Sequence, residues 1–355
     1  MPTMPCLDGE VILGVDTHAD THAAVLLDLL GRPVASRTVR ATGRGNRELL
    51  TWARRYGRLR RAGVEGTGSY GASLTRFLTL ESIEVIEVTR AVRKDRRHLG
   101  KNDVRDAEAA ARAVLSGQAD AAPKPHSGIV ESIRVLRLTR ASAIKARTQA
   151  ALQLRNLLVT APDELAEALR ELTTKQAVGR CSRLKRTARL DPIGANRKAL
   201  RSLAHRWQQL DDEVAELDVD LKRLTALAAP RLLAEAGIGP ENAAKLLVIA
   251  GDNPHRLRSD AALAALCGSS PVEASSGKTR RHRLNQGGDR QGNCALWTIA
   301  NNRMLHHPET RAYVAKRTAE GKTRREIRRC LMRHLARRLF PLLRADLTDA
   351  LAISP

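Results

Sequence analysis

Short apolar runs bounded by polar turns open the chain, and this pattern predicts β-strands. The first runs are VILGVD, AAVLLDLL and PVASRTV, and two more, AGVEG and IEVIEV, follow further along. Helical patterns such as NRELLTWARRYG and VRDAEAAARAVLSG lie between or after the later runs. Three opening strands followed by alternating helices and strands predict an α/β domain with a mixed sheet. The linker AAPKPHSG, rich in proline, predicts the end of this domain near residue 125.

Beyond the linker the periodicity is helical, and one segment is unusually regular. Its apolar residues recur at alternating steps of three and four, which is the spacing of a heptad seam. This pattern predicts a coiled coil within residues 126–230, formed either with another chain or against the less regular helix near 133–158. A helix packed inside one domain is the alternative. The seam residues are Leu200, Leu203, Trp207, Leu210, Val214, Leu217, Leu221 and Leu224.

The remaining region, residues 231–355, is predicted to be mainly helical. In its middle, the stretch GSSPVEASSGKTRRHRLNQGGDRQGN crowds basic residues around serines and glycines. A later helix has one apolar face, and its other faces carry many arginines, which predict either a nucleic-acid surface or a solvated basic face. The apolar face consists of Ile327, Leu331, Leu335 and Leu339.

A net charge of +23, with a sequence pI of about 10.9, indicates the kind of partner. Such an excess of Lys and Arg is suited to releasing counterions from a phosphate backbone, so the expected partner is nucleic acid. An anionic membrane is a weaker candidate because aromatic anchors are scarce, at 2% of the residues. No apolar run reaches the roughly 20 residues that span a bilayer, and no signal segment precedes the first strand. We therefore expect no membrane partner and a cytoplasmic location.

The cysteines are scattered and never form a CxxC pair. They are Cys6, Cys181, Cys267, Cys294 and Cys330. This spacing favours reduced core thiols over a disulfide framework or a zinc site.

Four acidic residues lie at positions where an ionised side chain calls for a structural or functional explanation. Asp16 lies in the strand-like run GVD, and Glu65 ends a short strand before a glycine-rich turn. Asp103 and Asp106 are three residues apart, which puts them on one face of the first turn of a helix. Nucleases with an RNase H-like fold use two strand acids and a helical acid pair to hold two magnesium ions. The sequence therefore predicts a metal site on the α/β domain.

Each acid also has a purely structural explanation, as a turn cap, a surface group or a favourable charge at a helix N-terminus. Asp20 and Glu108 are expected to be bystanders. His18 and His22 are predicted to be solvent-facing turn residues, because magnesium prefers oxygen ligands.

The motifs GVDTHAD, VEGTGSY and KNDVRDAEA, together with the downstream serine stretch, resemble those of the DEDD transposases of the IS-one-ten group of insertion sequences, relatives of the Piv DNA invertase. The resemblance covers nearly the whole chain. It implies a RuvC-like catalytic domain (1–125), a helical coiled-coil region (126–230) and a C-terminal transposase domain with a serine motif (231–355). It also implies donor and target DNA, a bridge RNA as guide, and homodimers or homotetramers assembled through the coiled coil.

The resemblance assigns roles to individual residues. The four acids match the DEDD carboxylates, which bind Mg²⁺, with Mn²⁺ as a substitute, and Ser276 matches the serine nucleophile. Gly66 stands where alanine is more usual and Asn102 where threonine is common, but neither change removes an acid. Because Ser275 adjoins Ser276, the resemblance does not decide which of the two serines is the nucleophile. The basic residues expected to bind nucleic acid near this serine are Lys278, Arg280, Arg281, Arg283 and Arg290.

The leading hypothesis is a transposase that cuts and rejoins DNA with a metal site and a serine nucleophile. One alternative is a RuvC-like structure-selective nuclease that uses metal-activated water and needs the acids but not the serine motif. A basic, coiled-coil nucleic-acid scaffold is a third, non-enzymatic possibility, for which four ordered acids have no use.

Overall fold

The structure is a computed structural model that describes residues 9–88, 102–189, 191–277, 282–283 and 285–353. By the density of internal contacts the chain divides into two compact units. The first, the N-terminal unit, holds the described residues up to Gly128 together with Ala250–Ser259. The second, the helical unit, holds Ile129–Ile249 and the described residues from Asp260 onwards.

Within the described residues, the N-terminal unit is built on a five-stranded sheet with the strand order β3-β2-β1-β4-β5. The first three strands are antiparallel neighbours, whereas β4 pairs parallel with β1, and β5 pairs parallel with β4. This mixed sheet confirms the predicted α/β class and is compatible with an RNase H-like DEDD domain. The strands are β1 (Glu10–Thr17), β2 (Thr21–Asp28), β3 (Pro33–Arg40), β4 (Arg58–Glu65) and β5 (Glu84–Val88).

Helices cover both faces of this sheet. They are α1 (Gly43–Ala53), α2 (Ala72–Leu80) and α3 (Asp103–Leu115). Alternate residues of β1 explain the two-sided core: Val11, Leu13 and Val15 belong to a cluster that includes residues of α1 and α2. Ile12 belongs to a second cluster that includes residues of α3. Both faces of β1 are apolar because helices pack on both of them.

Two glycines let α3 lie close to the sheet. A Cβ at Gly14 would come within 2.0 Å of the Ala107 carbonyl oxygen, and one at Gly63 within 2.6 Å of the Ala110 carbonyl oxygen. Gly14 lies on β1 and Gly63 on β4, so the helix crosses the two central strands at backbone contact. This close approach fixes where the N-terminus of α3 lies relative to the strand ends.

A later segment returns to the N-terminal unit. Arg258 pairs with Asp120 at 3.0 Å, and a Cβ at Gly251 would touch the Lys124 side chain at 2.9 Å. The linker predicted around Ala121–Gly128 therefore packs against residues more than a hundred positions away.

The helical unit consists mainly of helices, as predicted. They are α4 (Ile129–Thr160), α5 (Asp163–Arg170), α6 (Thr174–Ser182), α7 (Pro192–Ala228), α8 (Pro230–Leu233), α9 (Pro240–Ala250), α10 (Asp260–Leu266), α11 (Arg290–His306), α12 (Pro308–Ala319) and α13 (Arg324–Ile353). A two-stranded antiparallel ribbon in this unit pairs β6 (Val272–Glu273) with β7 (His282–Arg283), whereas a short 3-10 helix at Pro254–Arg256 belongs to the N-terminal unit.

The longest helices, α4 and α7, pack side by side and antiparallel. Arg140 pairs with Asp218, and Arg147 pairs with Asp211, so a step forward along α4 matches a step backward along α7. Every residue of the predicted seam on α7 is buried or half-buried. The seam therefore packs at least partly against elements of the same chain, including α4, and the coiled coil stays a prediction.

We expect Leu154→Ala, on α4, to lower the free energy of unfolding by about 2–5 kcal/mol, because it removes a fully buried side chain. Leu152→Ala is the matched control, since Leu152 lies on the same helix but is 60% exposed. The control should cost no more than about 0.5 kcal/mol. Urea unfolding of both variants measures the difference. Equal losses of unfolding free energy would show that Leu154 is no more buried than Leu152.

The last helix, α13, has the predicted apolar face, since Ile327, Leu335 and Leu339 are buried and Leu331 is half-buried. Several of its arginines are engaged in ion pairs, as with Arg333, which contacts Asp260 at 2.9 Å. Part of the arginine-rich surface thus stabilises the fold. No helix in the described ranges is long and apolar enough to cross a membrane.

The prediction of core thiols is right for two cysteines and wrong for another. Cys181 and Cys267 are buried, and burial raises the thiol pKa to about 11 and about 12 respectively. Cys294 is exposed on α11, and Cys330 is half-buried on α13. Cys6 lies outside the described residues.

Candidate functional site

The carboxyl ends of two neighbouring strands bring Asp16 and Glu65 to the same level of the sheet. Strands β1 and β4 are parallel, and Val15 pairs with Val64, so the two acids are the next residues along each strand. The Thr17 hydroxyl donates to the Glu65 carbonyl oxygen at 2.8 Å and joins the strand ends. Asp16 is 3% exposed and Glu65 9% exposed. Two acids are therefore held close together with little access to water.

The other two acids lie in the first turn of α3. The helix begins at Asp103, and the Asn102 side chain caps it by accepting a hydrogen bond from the Val104 backbone N–H at 3.0 Å. Asp103 and Asp106 are both half-exposed. The free backbone N–H groups of a helix N-terminus favour negative charge at this position. Asn102, which stands where threonine is common, performs the capping role.

The turn after Glu65 explains why glycine follows the acid. Gly66 has φ of +69°, a left-handed conformation that strains an alanine. A Cβ there would also lie 3.0 Å from the Thr17 hydroxyl oxygen. The local backbone thus accounts for the departure from alanine at this position.

His18 joins this group of acids, contrary to the prediction of a solvent-facing turn residue. Its Nε2 lies 3.1 Å from an Asp16 carboxylate oxygen and 3.5 Å from an Asp103 carboxylate oxygen. His22 departs from the prediction too, because strand β2 begins at Thr21 and the ring is only 1% exposed. The sequence signal for His18 is its spacing of two from Asp16, and this spacing alone does not reveal the contact with α3.

The environment of Asp16 opposes its ionisation. Burial raises the pKa of this carboxyl above its ordinary value of 3.8, the nearby His18 lowers it, and the charges of Glu65, Asp106 and Asp103 raise it further. All four acids therefore interact electrostatically. A buried carboxylate surrounded by other carboxylates is unfavourable without a compensating cation.

The group has the ligand chemistry of a divalent-metal site. Ligand atoms of Asp16, His18 and Asp103 all lie within 4.8 Å of one another. Glu65 adds a carboxylate at the neighbouring strand end. Carboxylate oxygens suit Mg²⁺ and Mn²⁺, and an imidazole nitrogen suits the softer first-row ions. The residues present fit a divalent cation. Asp20, by contrast, is exposed, and Glu108 pairs with Arg112 at 2.6 Å.

We expect Asp16→Asn to stabilise the metal-free protein. A folded-state pKa above 3.8 means that the contribution of this carboxyl to stability is fully present below about pH 3.8 and is lost as the pH rises through the folded pKa. In chelator, Asp16→Asn should therefore raise the melting temperature by about 1–3 °C near pH 7 and have little effect near pH 4. The control Asp20→Asn should leave the melting temperature unchanged. A lower melting temperature for Asp16→Asn at pH 7 would show that the ionised carboxylate stabilises the fold.

The serine motif lies between the two strands of the short ribbon. Ser275 and Ser276 are exposed and follow β6, and Gly277 has φ of +56° with no atom within 4 Å of a Cβ built there. The Ser275 hydroxyl donates to a Glu273 carboxylate oxygen at 2.9 Å. In the part of the chain that the structure describes, the Ser276 hydroxyl makes no hydrogen bond. The two candidate nucleophiles therefore differ in their surroundings.

The basic residues of this motif are described only in part. Arg283 is exposed on β7 and lines a cavity of about 690 Å³ together with Arg317, Lys322, Arg329 and Arg333, among other residues. Arg290 is exposed at the first position of α11, which Asp289 caps. Lys278, Arg280 and Arg281 lie outside the described residues.

A mixed sheet with acids at two strand ends and at a helix start fits the DEDD class of metal-dependent nucleic-acid enzymes. A family model for DEDD transposases, described as "Transposase", matches residues 13–162, and a second, described as "Transposase IS116/IS110/IS902 family", matches residues 229–315. The chain belongs to the IS110 family of insertion-sequence transposases, which confirms the resemblance inferred from its motifs. It is accordingly a DNA transposase. No curated protein matches the chain.

Proposed function

We propose that this transposase cuts and rejoins DNA with two magnesium ions held by the four acids and with Ser276 as nucleophile. The observation that carries the metal part is the convergence of Asp16, Asp103 and His18 within 4.8 Å, beside the strand end that carries Glu65. In this proposal residues 1–125 form the catalytic domain, 126–230 the coiled-coil region and 231–355 the transposase domain with the serine.

The acids are suited to hold cations because two separate backbone constraints position them. Asp16 and Glu65 are fixed by strand pairing, and Asp103 and Asp106 by a capped helix that packs on two glycines. When bound, a pair of divalent ions stabilises the attacking and leaving oxygens of a phosphodiester. We assign His18 to the same centre, where its Nε2 orients the Asp16 carboxylate or adds a ligand.

Ser276 would act by covalent transfer. Its Oγ attacks a backbone phosphorus, the new Oγ–P bond forms, and the P–O bond to the departing sugar oxygen breaks. The serine loses its hydroxyl proton, and the departing oxygen takes up a proton. A serine hydroxyl is a weak nucleophile at neutral pH, so the reaction needs strong stabilisation of phosphate charge. The exposure of Ser276 and the open space around Gly277 support access of a DNA strand.

A bridge RNA is proposed as guide, and a homodimer or homotetramer as the active assembly. The net charge of +23 supports a nucleic-acid partner, RNA included, because Lys and Arg bind the phosphate backbone of either kind of strand. Assembly through the coiled-coil region would use surface outside the seam, since the seam residues on α7 are already covered within the chain.

The guide is tested by purifying the protein from cells that carry its gene with the flanking DNA, then sequencing the RNA that co-purifies. We expect one enriched RNA encoded beside the gene. The Asp16→Asn variant is the control, since loss of a metal ligand should not release the RNA. An RNA profile that matches that of an unrelated basic protein would contradict guidance by RNA.

A further inference from the structure

A trough with only basic and polar lining residues runs along one face of α7, in the helical unit. Its volume is about 640 Å³. The loop after α6 forms one wall, and residues of α7 at helical spacing form the other. The lining residues are Lys185, Arg186, Thr187, Arg197, Lys198, Arg201, Ser202, His205, Arg206 and Gln209.

The charge of this trough is not balanced locally. Between residues 172 and 210 the only acid is Asp191, whereas the stretch holds ten Lys and Arg. Asp191 is already used: it accepts the Gly194 N–H at 2.8 Å to cap α7 and pairs with Arg189. Among the described residues, the six Lys and Arg that line the trough make no ion pair with an acid. Several arginines of α13 differ, since Arg333 pairs with Asp260 and Arg338 with Glu235.

Two further observations show that the trough is poorly satisfied as it stands. In the described part of the chain, Arg197 Nε and His205 Nε2 are buried without a hydrogen-bond partner. Such atoms cost free energy unless a ligand or water supplies an acceptor or donor. Like charges four residues apart, such as Arg197 and Arg201, also destabilise a helix. An anion in the trough would offset the repulsion between these like charges.

The opposite half of α7 has the reverse arrangement. Six acids lie between residues 211 and 220. Two of them, Asp211 and Asp218, pair with arginines of α4. Charge on α7 is thus segregated along its length, with acids in one half, two of them paired with α4, and, among the described residues, cations without an acid partner in the other. Packing against α4 does not explain the basic half.

We propose that the trough binds backbone phosphates of the DNA on which the transposase acts, at a site separate from the acid cluster and the serine motif. The inference rests on DNA as the substrate, which family membership establishes, and not on the metal or serine chemistry. Arginine guanidinium groups and lysine ammonium groups along a helix face are the usual recognition groups for phosphate. The polar Thr187, Ser202 and Gln209 add hydrogen-bonding groups that are compatible with a sugar-phosphate backbone.

The test uses the full chain in chelator, so that binding is measured without cleavage. We compare Lys198→Gln/Arg201→Gln/Arg206→Gln with the equally charged control Lys145→Gln/Lys222→Gln/Arg223→Gln, whose three side chains are exposed on α4 and α7 outside the trough. Fluorescence anisotropy with a duplex of about 30 base pairs, at several salt concentrations, gives the affinity and its salt slope. Each lost phosphate contact should reduce the slope of log K against log salt by about 0.9.

We expect the trough variant to bind the duplex at least about tenfold more weakly near 0.1 M salt, with a slope smaller by about two to three. The control should change affinity by no more than about twofold. The charge-conserving variant Lys198→Arg/Arg201→Lys/Arg206→Lys should keep the wild-type slope, which separates loss of charge from loss of fold. Equal weakening by the two Gln variants would overturn the proposal, and so would an unchanged slope in the trough variant. A hairpin RNA with the same number of phosphates is measured in the same way. A defect confined to that RNA would overturn the assignment to DNA.

Discussion

Asp16→Asn and Glu65→Gln are each expected to reduce strand cleavage by at least about 10³-fold while leaving the fold intact. Divalent cations contribute several kcal/mol of charge stabilisation to phosphoryl transfer, and each 1.36 kcal/mol changes the rate about tenfold. Asp16 is buried beside Glu65 at the strand ends, so either change removes one of the carboxylates fixed there by strand pairing. Cleavage is measured on a plasmid that carries the gene with its flanking DNA, in Mg²⁺.

The matched control is Asp20→Asn, which removes the same charge four residues from Asp16 at an exposed position. It should cleave at the wild-type rate. Chelator should abolish cleavage by the wild-type protein. Full cleavage by either acid variant, or in chelator, would remove the metal site from the mechanism.

Ser276→Ala is expected to abolish a covalent protein–DNA adduct that the wild-type protein forms and that survives denaturation. The loss should be complete, because alanine has no atom that can form the phosphoester. Ser275→Ala is the matched control, since its hydroxyl is hydrogen bonded to Glu273 and it is equally exposed. The adduct is detected by denaturing gel electrophoresis of labelled DNA.

The possible outcomes separate three mechanisms. An adduct that persists in Ser276→Ala but disappears in Ser275→Ala would move the role to the neighbouring serine. Cleavage without any adduct in the wild-type protein would favour the nuclease alternative, in which a metal-activated water attacks the phosphate. Weaker binding, with cleavage and adduct intact, would assign Ser276 to binding alone.

The sheet and its acids could be predicted because their signals are local. Apolar runs and turn residues predicted the opening strands, and the spacing of Asp103 and Asp106 predicted one helical face. The parallel register that puts Asp16 beside Glu65 is not a local property, because it depends on which strands pair. Motif order supplied that information here through the family resemblance.

His18 shows where such reasoning fails. Its contact with Asp103 joins residues 85 positions apart and depends on how closely α3 approaches the sheet, which Gly14 and Gly63 permit. Neither glycine predicts a helix contact from the sequence alone. A histidine two residues from a strand acid is compatible with both a turn and a metal centre, so the structure was needed to choose between them.

The helical unit shows a related limit. The heptad pattern on α7 predicted a packed face but not its partner, because an apolar seam fits α4 and a second chain equally well. No sequence pattern predicted that Ala250–Ser259 packs in the N-terminal unit, because the contacts of this segment are with residues far away in sequence. Charge patterns were equally ambiguous, as several arginines of α13 pair with acids within the fold while those of the trough do not.

We propose above that the acids at the strand ends and at the start of α3 bind divalent metal. Electron paramagnetic resonance titration with Mn²⁺ tests it most directly, because free and bound Mn²⁺ give different signals. We expect about two bound ions per wild-type chain and per Asp20→Asn chain, and loss of this binding in Asp16→Asn. Equal Mn²⁺ binding by the wild-type protein and Asp16→Asn would contradict it.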